Sequence, residues 1–323
     1  MENTVRERKR RIRLRRFLRD EYHHIYQRTV NRFNLFYDLE DYLVYYTIFS
    51  IAARKYGVNV LGLCLMFDHV HMLLKAGSKV VMSEFIRQVT SMFAREQNTE
   101  VGRKGALFQA RFGSAPKKGL KLLRTAIAYL FNNPVEKLLC SSAESYRWSF
   151  LPYAQSDHPF SDPIVMRQAS SSLRRAIKEV DTAEAEDRHL RYGQLKRMLY
   201  KLNEKERMQL VDHIISIYKV IDYDALICCY GSYESMLMAI NSNTGSEYEI
   251  KEDRYRFSDM EYVHMLDVLR KVEGMKTVRH VVTADVEEKK RLATLLRQTL
   301  QCSPKALSKF LHIDLSRADC VMR

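Results

Sequence analysis

Between Val58 and Lys75 the sequence holds two neighbouring strand-length segments that constrain the fold more than anything else in it. Val58–Met66 is a nearly continuous apolar run, which at this length fits a central strand covered on both faces. After a tight turn, His69–Lys75 reads as a second strand pairing antiparallel with the first. Such a pair needs flanking strands and covering helices, and the surrounding sequence supplies both. Tyr22–Thr29 has the alternation of a strand, and Leu39–Lys55, rich in Tyr, Leu and Ile, reads as a helix that turns at Tyr56-Gly57-Val58. Gly77-Ser78 breaks the pattern before Met82–Gln97, where Phe85, Val89, Met92 and Phe93 show helical spacing. Gly102 and Gly105 mark a loop, Leu107–Ser114 a last strand, and Leu120–Asn132 a further helix. The order is βαββαβ followed by a helix, which predicts a ferredoxin-like α+β layer with helices on one face of an antiparallel sheet.

A chain of 323 residues that is 46% hydrophobic can bury a full core and is long enough for two domains. We expect a basic tail over 1–20, an α+β domain over 21–153, a Pro-, Ser- and Asp-rich linker over 154–172 and a helical domain over 173–323. Within the last, helices are expected at Arg188–Leu202, Glu204–Val220, Asp224–Cys229, Ser258–Val272 and Val286–Leu300. Ser303 stands as an N-cap before Pro304 at the first helical position, and Ser316 as the cap of a final helix, Leu315–Arg323. Three short helices with a tight turn before the last describe a helix-turn-helix over about 287–323, although a plain three-helix end would read the same way. No apolar stretch approaches the ~18 residues that span a bilayer, and the N-terminus has no apolar core of a secretory signal. Six cysteines without CxxC spacing favour reduced thiols. The expectation is a cytoplasmic protein with no membrane partner; a homodimer is compatible with it.

The net charge of +14 is concentrated. Residues 1–160 carry 26 Lys/Arg against 14 Asp/Glu, whereas residues 161–323 carry 27 against 25. Arg6–Arg19 holds nine basic residues and one acid; Arg103–Arg124 holds seven basic residues (Arg103, Lys104, Arg111, Lys117, Lys118, Lys121, Arg124) and no acid. Localised positive charge is the footprint of a phosphate backbone. Phe108 and Phe112 lie within the second cluster, where they could stack on bases. The first cluster reads equally well as a solubilising tail.

Two constellations carry chemistry. In His69-Val70-His71, strand alternation points both imidazoles to one face, where a pair at this spacing can chelate one divalent ion. In Tyr129-Leu130-Phe131-Asn132-Asn133-Pro134, helical i,i+4 spacing stacks Tyr129 and Asn133, and Pro134 is expected to end the helix. Asn133 could then offer its amide oxygen to the same ion beside the Tyr129 hydroxyl. The plainer alternative is a core tyrosine followed by an asparagine C-cap.

The segment Leu61–Leu74, with Asp68-His69-Val70-His71 at its centre, resembles the histidine–hydrophobe–histidine strand of the single-tyrosine HUH transposases, and among them the REP-associated tyrosine transposases. Gly105–Phe112 is similar to that family's glycine, aromatic, Gln and Arg-Phe stretch, Tyr129–Leu138 to its Tyr-x-x-x-Asn-Pro helix end, and Tyr146-Arg147-Trp148-Ser149 to its Trp-Ser element. The likeness covers roughly residues 20–153. This chain has Phe67-Asp68 where the family usually has Pro-Asn, and Phe131 where it often has a histidine.

The resemblance implies that His69, His71 and Asn133 hold Mg²⁺ or Mn²⁺, which acts as a Lewis acid on a scissile phosphate. It implies that Tyr129 attacks phosphorus to give a 5′-phosphotyrosine link and a 3′-hydroxyl, cutting and rejoining single-stranded or hairpin DNA. A free phenol of pKa ~10 is about 0.1% ionised at pH 7, so activation has to supply up to ~4 kcal/mol if the phenolate attacks. Asp68 is a candidate acceptor of that proton. The competing readings are a non-catalytic DNA-binding regulator on the same fold and an RNA-binding αβ platform using Tyr22 and Tyr26.

Overall fold

The structure, a computed structural model, describes residues 16–109, 111–242 and 258–313. Its first part runs β1 (Tyr22–Arg28), α1 (Leu39–Tyr56), β2 (Asn59–Met66), β3 (His69–Lys75), α2 (Lys79–Val101), β4 (Gly113–Lys117) and α3 (Gly119–Glu136). The four strands form one sheet in the order β2-β3-β1-β4, every neighbouring pair antiparallel. The apolar run of β2 lies at the edge of the sheet rather than at its centre, yet every residue of it after Asn59 is buried. Helices cover both of its faces, which is why the strand is apolar on each.

Register sorts the sheet into two faces. Ile25, Leu63, Val70 and Met72 share one, all fully buried, closed by α1 and α2, which pack together through Phe49 and Phe85 at 5.3 Å between ring centroids. The other face carries His24, Tyr26, His69, His71, Cys64 and Gly62, and α3 lies across it. A Cβ on Gly62 would stand 3.2 Å from the Phe131 ring and 3.3 Å from Leu130, so the missing side chain is what lets α3 approach the sheet. Helices thus lie on both faces, where one face was expected.

Other details also depart from expectation. The last strand is Gly113–Lys117, not Leu107–Ser114, because Phe108 forms an isolated bridge with Thr29 and Val30 N–H donates to Leu107 O at 2.9 Å. This turns the 107–109 stretch into an extension beyond β1. α3 does not stop before Pro134 but continues to Glu136, with Lys137 N–H donating to Asn133 O at 3.1 Å. The ring forfeits one helical hydrogen bond and the next turn still closes. Asn133 is therefore inside the helix and is not its C-cap.

The remaining helices are α4 (Ser171–Ala185), α5 (Tyr192–Tyr200), α6 (Glu204–Ile217), α7 (Tyr223–Cys228), α8 (Tyr233–Asn241), α9 (Met260–Lys271), α10 (Val286–Thr299) and α11 (Pro304–Leu311). α4 and α8 fall in the stretch read as helical, although neither was singled out as a helix. Helices α4–α8 share a continuous hydrophobic core with the sheet and α1–α3. The connection before α4 is pinned to α6, as Asp212 accepts from Phe160 N–H at 3.0 Å, Ser161 Oγ at 2.9 Å and Tyr153 Oη at 2.7 Å. A second core joins α9–α11 and the Val278–Val282 turn to Tyr37 and to Phe67 at the β2–β3 turn. As expected, Ser303 caps α11, accepting from Ala306 N–H at 3.2 Å, with Pro304 at its first turn. The expected final helix, Leu315–Arg323, lies outside the described residues, as does most of the Arg6–Arg19 cluster. Among the described residues no helix is long and apolar enough to cross a membrane.

Candidate active site

Alternation on β3 points His69 and His71 toward α3, and the helix brings Tyr129 and Asn133 down onto them. The His69 and His71 ring centroids are 4.8 Å apart, and the Tyr129 ring centroid lies 5.6 Å from that of His71. Asn133 Nδ2 donates to the Tyr129 hydroxyl at 3.3 Å, the i,i+4 contact expected of one helix face. The four residues singled out in sequence therefore meet in one place. All are buried, with His69 the most accessible at 8%.

A fifth member is His24 of β1. Its Nε2 is 3.0 Å from His71 Nδ1, and its ring centroid is 5.6 Å from that of Tyr129. Sequence reasoning missed it, although alternation through Tyr22–Thr29 already set His24, Tyr26 and Arg28 on one face. What the sequence lacked was the pairing of β1 beside β3, with Tyr26 opposite His71 and His24 opposite Leu73.

Each candidate ligand histidine thus has its Nδ1 engaged: His71 with His24, and His69 with Asp68 Oδ1 at 2.6 Å. Such an outer partner fixes the ring and directs Nε2 toward a metal. Asn133 Oδ1 is buried without a hydrogen-bond partner, a cost that a cation would relieve. Two imidazole nitrogens and an amide oxygen beside a phenol form a donor set that a divalent cation could take. Among the described residues no group of three or more His, Cys, Asp or Glu side chains is gathered as a metal cluster.

Asp68 is not placed to act as a ready base. One carboxylate oxygen takes His69 Nδ1, and the other accepts Lys309 Nζ of α11 at 2.9 Å. Burial alone would raise its pKa, but the hydrogen bonds and charges of His69 and Lys309 hold the carboxyl well below the usual range. A small cleft opens beside His69, lined by Arg28, Arg32, Asp68, Lys137 and Asp259 together with Lys305 and Lys309. In it, burial and the Asp68 charge push the Asp259 carboxyl up to about 6.

The basic cluster divides. Lys104, Arg111, Lys118, Lys121 and Arg124 are exposed, the last stacked over Tyr230 at 5.4 Å. Arg103 is half-buried, donating to Asn98 Oδ1 at 3.2 Å and to Ala106 O at 3.3 Å. Phe108 and Lys117, expected at the DNA interface, are buried instead. Phe108 packs in the core, 6.3 Å from Phe93, because the Thr29 bridge draws it inward, and Lys117 is 2% exposed at the end of β4.

Residues 18–133 match the family model for IS200-like transposases. No curated protein matches the chain. Among solved structures, one of a REP-associated tyrosine transposase bound to a REP hairpin is similar at 15% identity and a TM-score of 0.38, over 49% of this chain and 93% of that one. The family match takes in β1 to β3 and runs through Tyr129 to end at Asn133. The likeness to IS200-like transposases thus lies in the N-terminal part of this chain, residues 18–133.

Proposed function

We propose that this protein cuts and rejoins single-stranded or hairpin DNA, with Tyr129 as nucleophile and Mg²⁺ or Mn²⁺ held by His69, His71 and Asn133. The observation that supports this most is the convergence of an oriented histidine pair, a buried amide oxygen lacking a partner and a phenol on one sheet face. The antiparallel strand order is compatible with a ferredoxin-like layer, the frame on which the resembling transposases carry this chemistry. When bound, the ion supplies Lewis acidity toward a phosphate oxygen and offsets charge developing there. Tyr129 Oη forms a bond to phosphorus as the bond from phosphorus to the 3′-oxygen breaks. The phenol proton passes in net terms to the departing 3′-oxygen, and the 5′-phosphoryl stays on Tyr129. Rejoining is the reverse. Asn133 positions the hydroxyl through its Nδ2 contact, while His24 and Asp68 fix the two imidazoles. The exposed bases Lys104, Arg111, Lys118, Lys121 and Arg124, with Arg103 at their edge, would hold the DNA backbone.

The 2% exposure of Tyr129 favours the second reading, a DNA-binding regulator in which this side chain only packs. A labelled hairpin oligonucleotide incubated with Mn²⁺ and run on a denaturing gel separates the two. The enzyme reading expects a covalent adduct that Tyr129→Phe abolishes while DNA binding persists. Wild-type protein that binds the hairpin without any adduct, or a Tyr129→Phe protein that still forms one, removes Tyr129 as nucleophile.

A further inference from the structure

We infer that Lys309 and Asp68 form a positioning relay through which the C-terminal helices set the orientation of His69. The inference rests on the metal-site reading above and extends it to a part of the chain beyond the family match, which ends at residue 133.

The relay is a chain of two charge-assisted hydrogen bonds, Lys309 Nζ to Asp68 Oδ2 at 2.9 Å and His69 Nδ1 to Asp68 Oδ1 at 2.6 Å. Side-chain exposures are 20% for Lys309, 8% for Asp68 and 10% for His69, so solvent screens these bonds weakly. A carboxylate that deep needs a second partner for its outer oxygen, and Lys309 is that partner. With the carboxylate anchored at both oxygens, the His69 ring keeps Nδ1–H toward Asp68 and turns Nε2 away from it. His71 receives the corresponding service from His24, a residue inside the family match. His69 receives it from Asp68, whose outer oxygen is held in turn by a residue 241 positions further along the chain.

The anchor is itself held firmly. Three bonds fasten the end of α11 to the segment before α1: Asn34 N–H to Lys309 O at 3.1 Å, Tyr37 Oη to Phe310 O at 2.6 Å and His312 Nε2 to Asn34 O at 2.7 Å. The backbone of Asp68 is fixed from the opposite side, where Thr29 donates to its carbonyl from N–H at 3.0 Å and from Oγ1 at 3.1 Å. Both ends of the lysine–aspartate bond are thereby set by backbone contacts, and the site is incomplete without α11. Phe67 carries the same union into the core, packing on Tyr262 of α9 at 5.2 Å.

The test uses the full-length protein with Lys309→Met, Lys309→Arg and Asp68→Ala, and as a control Lys290→Met, a partly exposed lysine of α10 that pairs with Glu287. Mn²⁺ binding is followed by the electron spin resonance of the free ion, and the His69 tautomer by ¹⁵N–¹H correlation of labelled imidazoles. Loss of an outer-shell partner weakens metal by about 10- to 100-fold, so Asp68→Ala should fall in that range and Lys309→Met near its lower end. Lys309→Arg should recover most of the affinity and Lys290→Met all of it. In Lys309→Met the His69 Nδ1–H signature should give way to a mixture of tautomers. A folded Lys309→Met protein that binds Mn²⁺ within twofold of wild type and keeps the tautomer overturns the relay. Wild-type protein that binds no Mn²⁺ sinks the metal-site reading instead. The tautomer comparison then decides the relay by itself: a change supports it and an unchanged His69 refutes it.

Discussion

Replacing Arg279 by methionine should destabilise the protein by about 3–5 kcal/mol at pH 7, the usual consequence of stripping the counter-charge from buried acids. The guanidinium is completely buried, with NH1 2.7 Å from Asp41 Oδ1, NH2 2.7 Å from Glu40 Oε2 and Nε 3.4 Å from Asp38 Oδ2. Its face lies 4.6 Å from the Tyr192 ring. Methionine keeps most of the stem and removes the charge. Asp38 would retain Arg270 at 3.2 Å and Glu40 is partly solvated, so the cost falls mainly on Asp41, which is 0% exposed. Burial already pushes the Asp41 carboxyl up to about 6 with Arg279 beside it, and without the arginine it rises further. An acid whose folded pKa stands above its unfolded value of ~4 binds protons preferentially in the folded state, so stability falls as pH climbs through that window. Wild-type Asp41, at about 6, already gains about 1.3 kcal/mol between pH 7 and pH 5, and the variant gains at most about 2.7, so the penalty should shrink by about 1 kcal/mol, at 1.36 kcal/mol per unit. Urea unfolding of wild type and Arg279→Met at both pH values measures it, and Arg279→Met/Asp41→Asn should recover much of the loss. A penalty below about 1 kcal/mol, or one that does not change with pH, would mean that the cluster is hydrated or rearranges, and would refute the reasoning.

Two further outcomes are expected. His24→Phe keeps ring volume but removes the partner of His71 Nδ1, so Mn²⁺ affinity should drop by about 10- to 100-fold in a calorimetric titration while the fold persists. His312, whose pKa is lowered to about 3 by burial despite its bond to Asn34 O, is neutral in the fold. Its contribution is complete above its unfolded pKa of ~6.5 and is lost as pH falls from there toward 3, about 2 kcal/mol by pH 5. Thermal melts should show this acid loss reduced in His312→Gln, and equal slopes in the two proteins would assign it to other groups.

What could be read in advance followed the range of the contacts. The strand pair and the faces of β3 and α3 depend on neighbours a few residues away, so His69 could be grouped with His71 and Tyr129 with Asn133, and the resemblance to the HUH transposases then singled them out as a site. His24 needed the pairing of β1 with β3, a contact 47 residues long, and Asp68 as an orienting group needed Lys309. Phe108 looked like an exposed aromatic among bases because nothing local signals that Thr29 will bridge to it. Pro134 was expected to end α3, but a proline near a helix end costs one hydrogen bond, and burial of Tyr129–Pro134 outweighs that. The Pro- and Ser-rich stretch before α4 has the composition of a tether, yet Asp212 of α6 fastens it through bonds that composition does not encode.

The lysine that reaches Asp68 also sets when the site can be finished during synthesis. Strands β1–β3 and Tyr129 leave the ribosome first, while Lys309 follows Asp68 by 241 residues, about 12–50 s later at ~5–20 residues per second. Through that interval a nascent chain has its histidines and its tyrosine but not the clamp that orients His69. Under the function proposed above, the protein would complete its candidate site only after its last described helix has docked, and truncated products ending before α11 would be born with an unfinished centre.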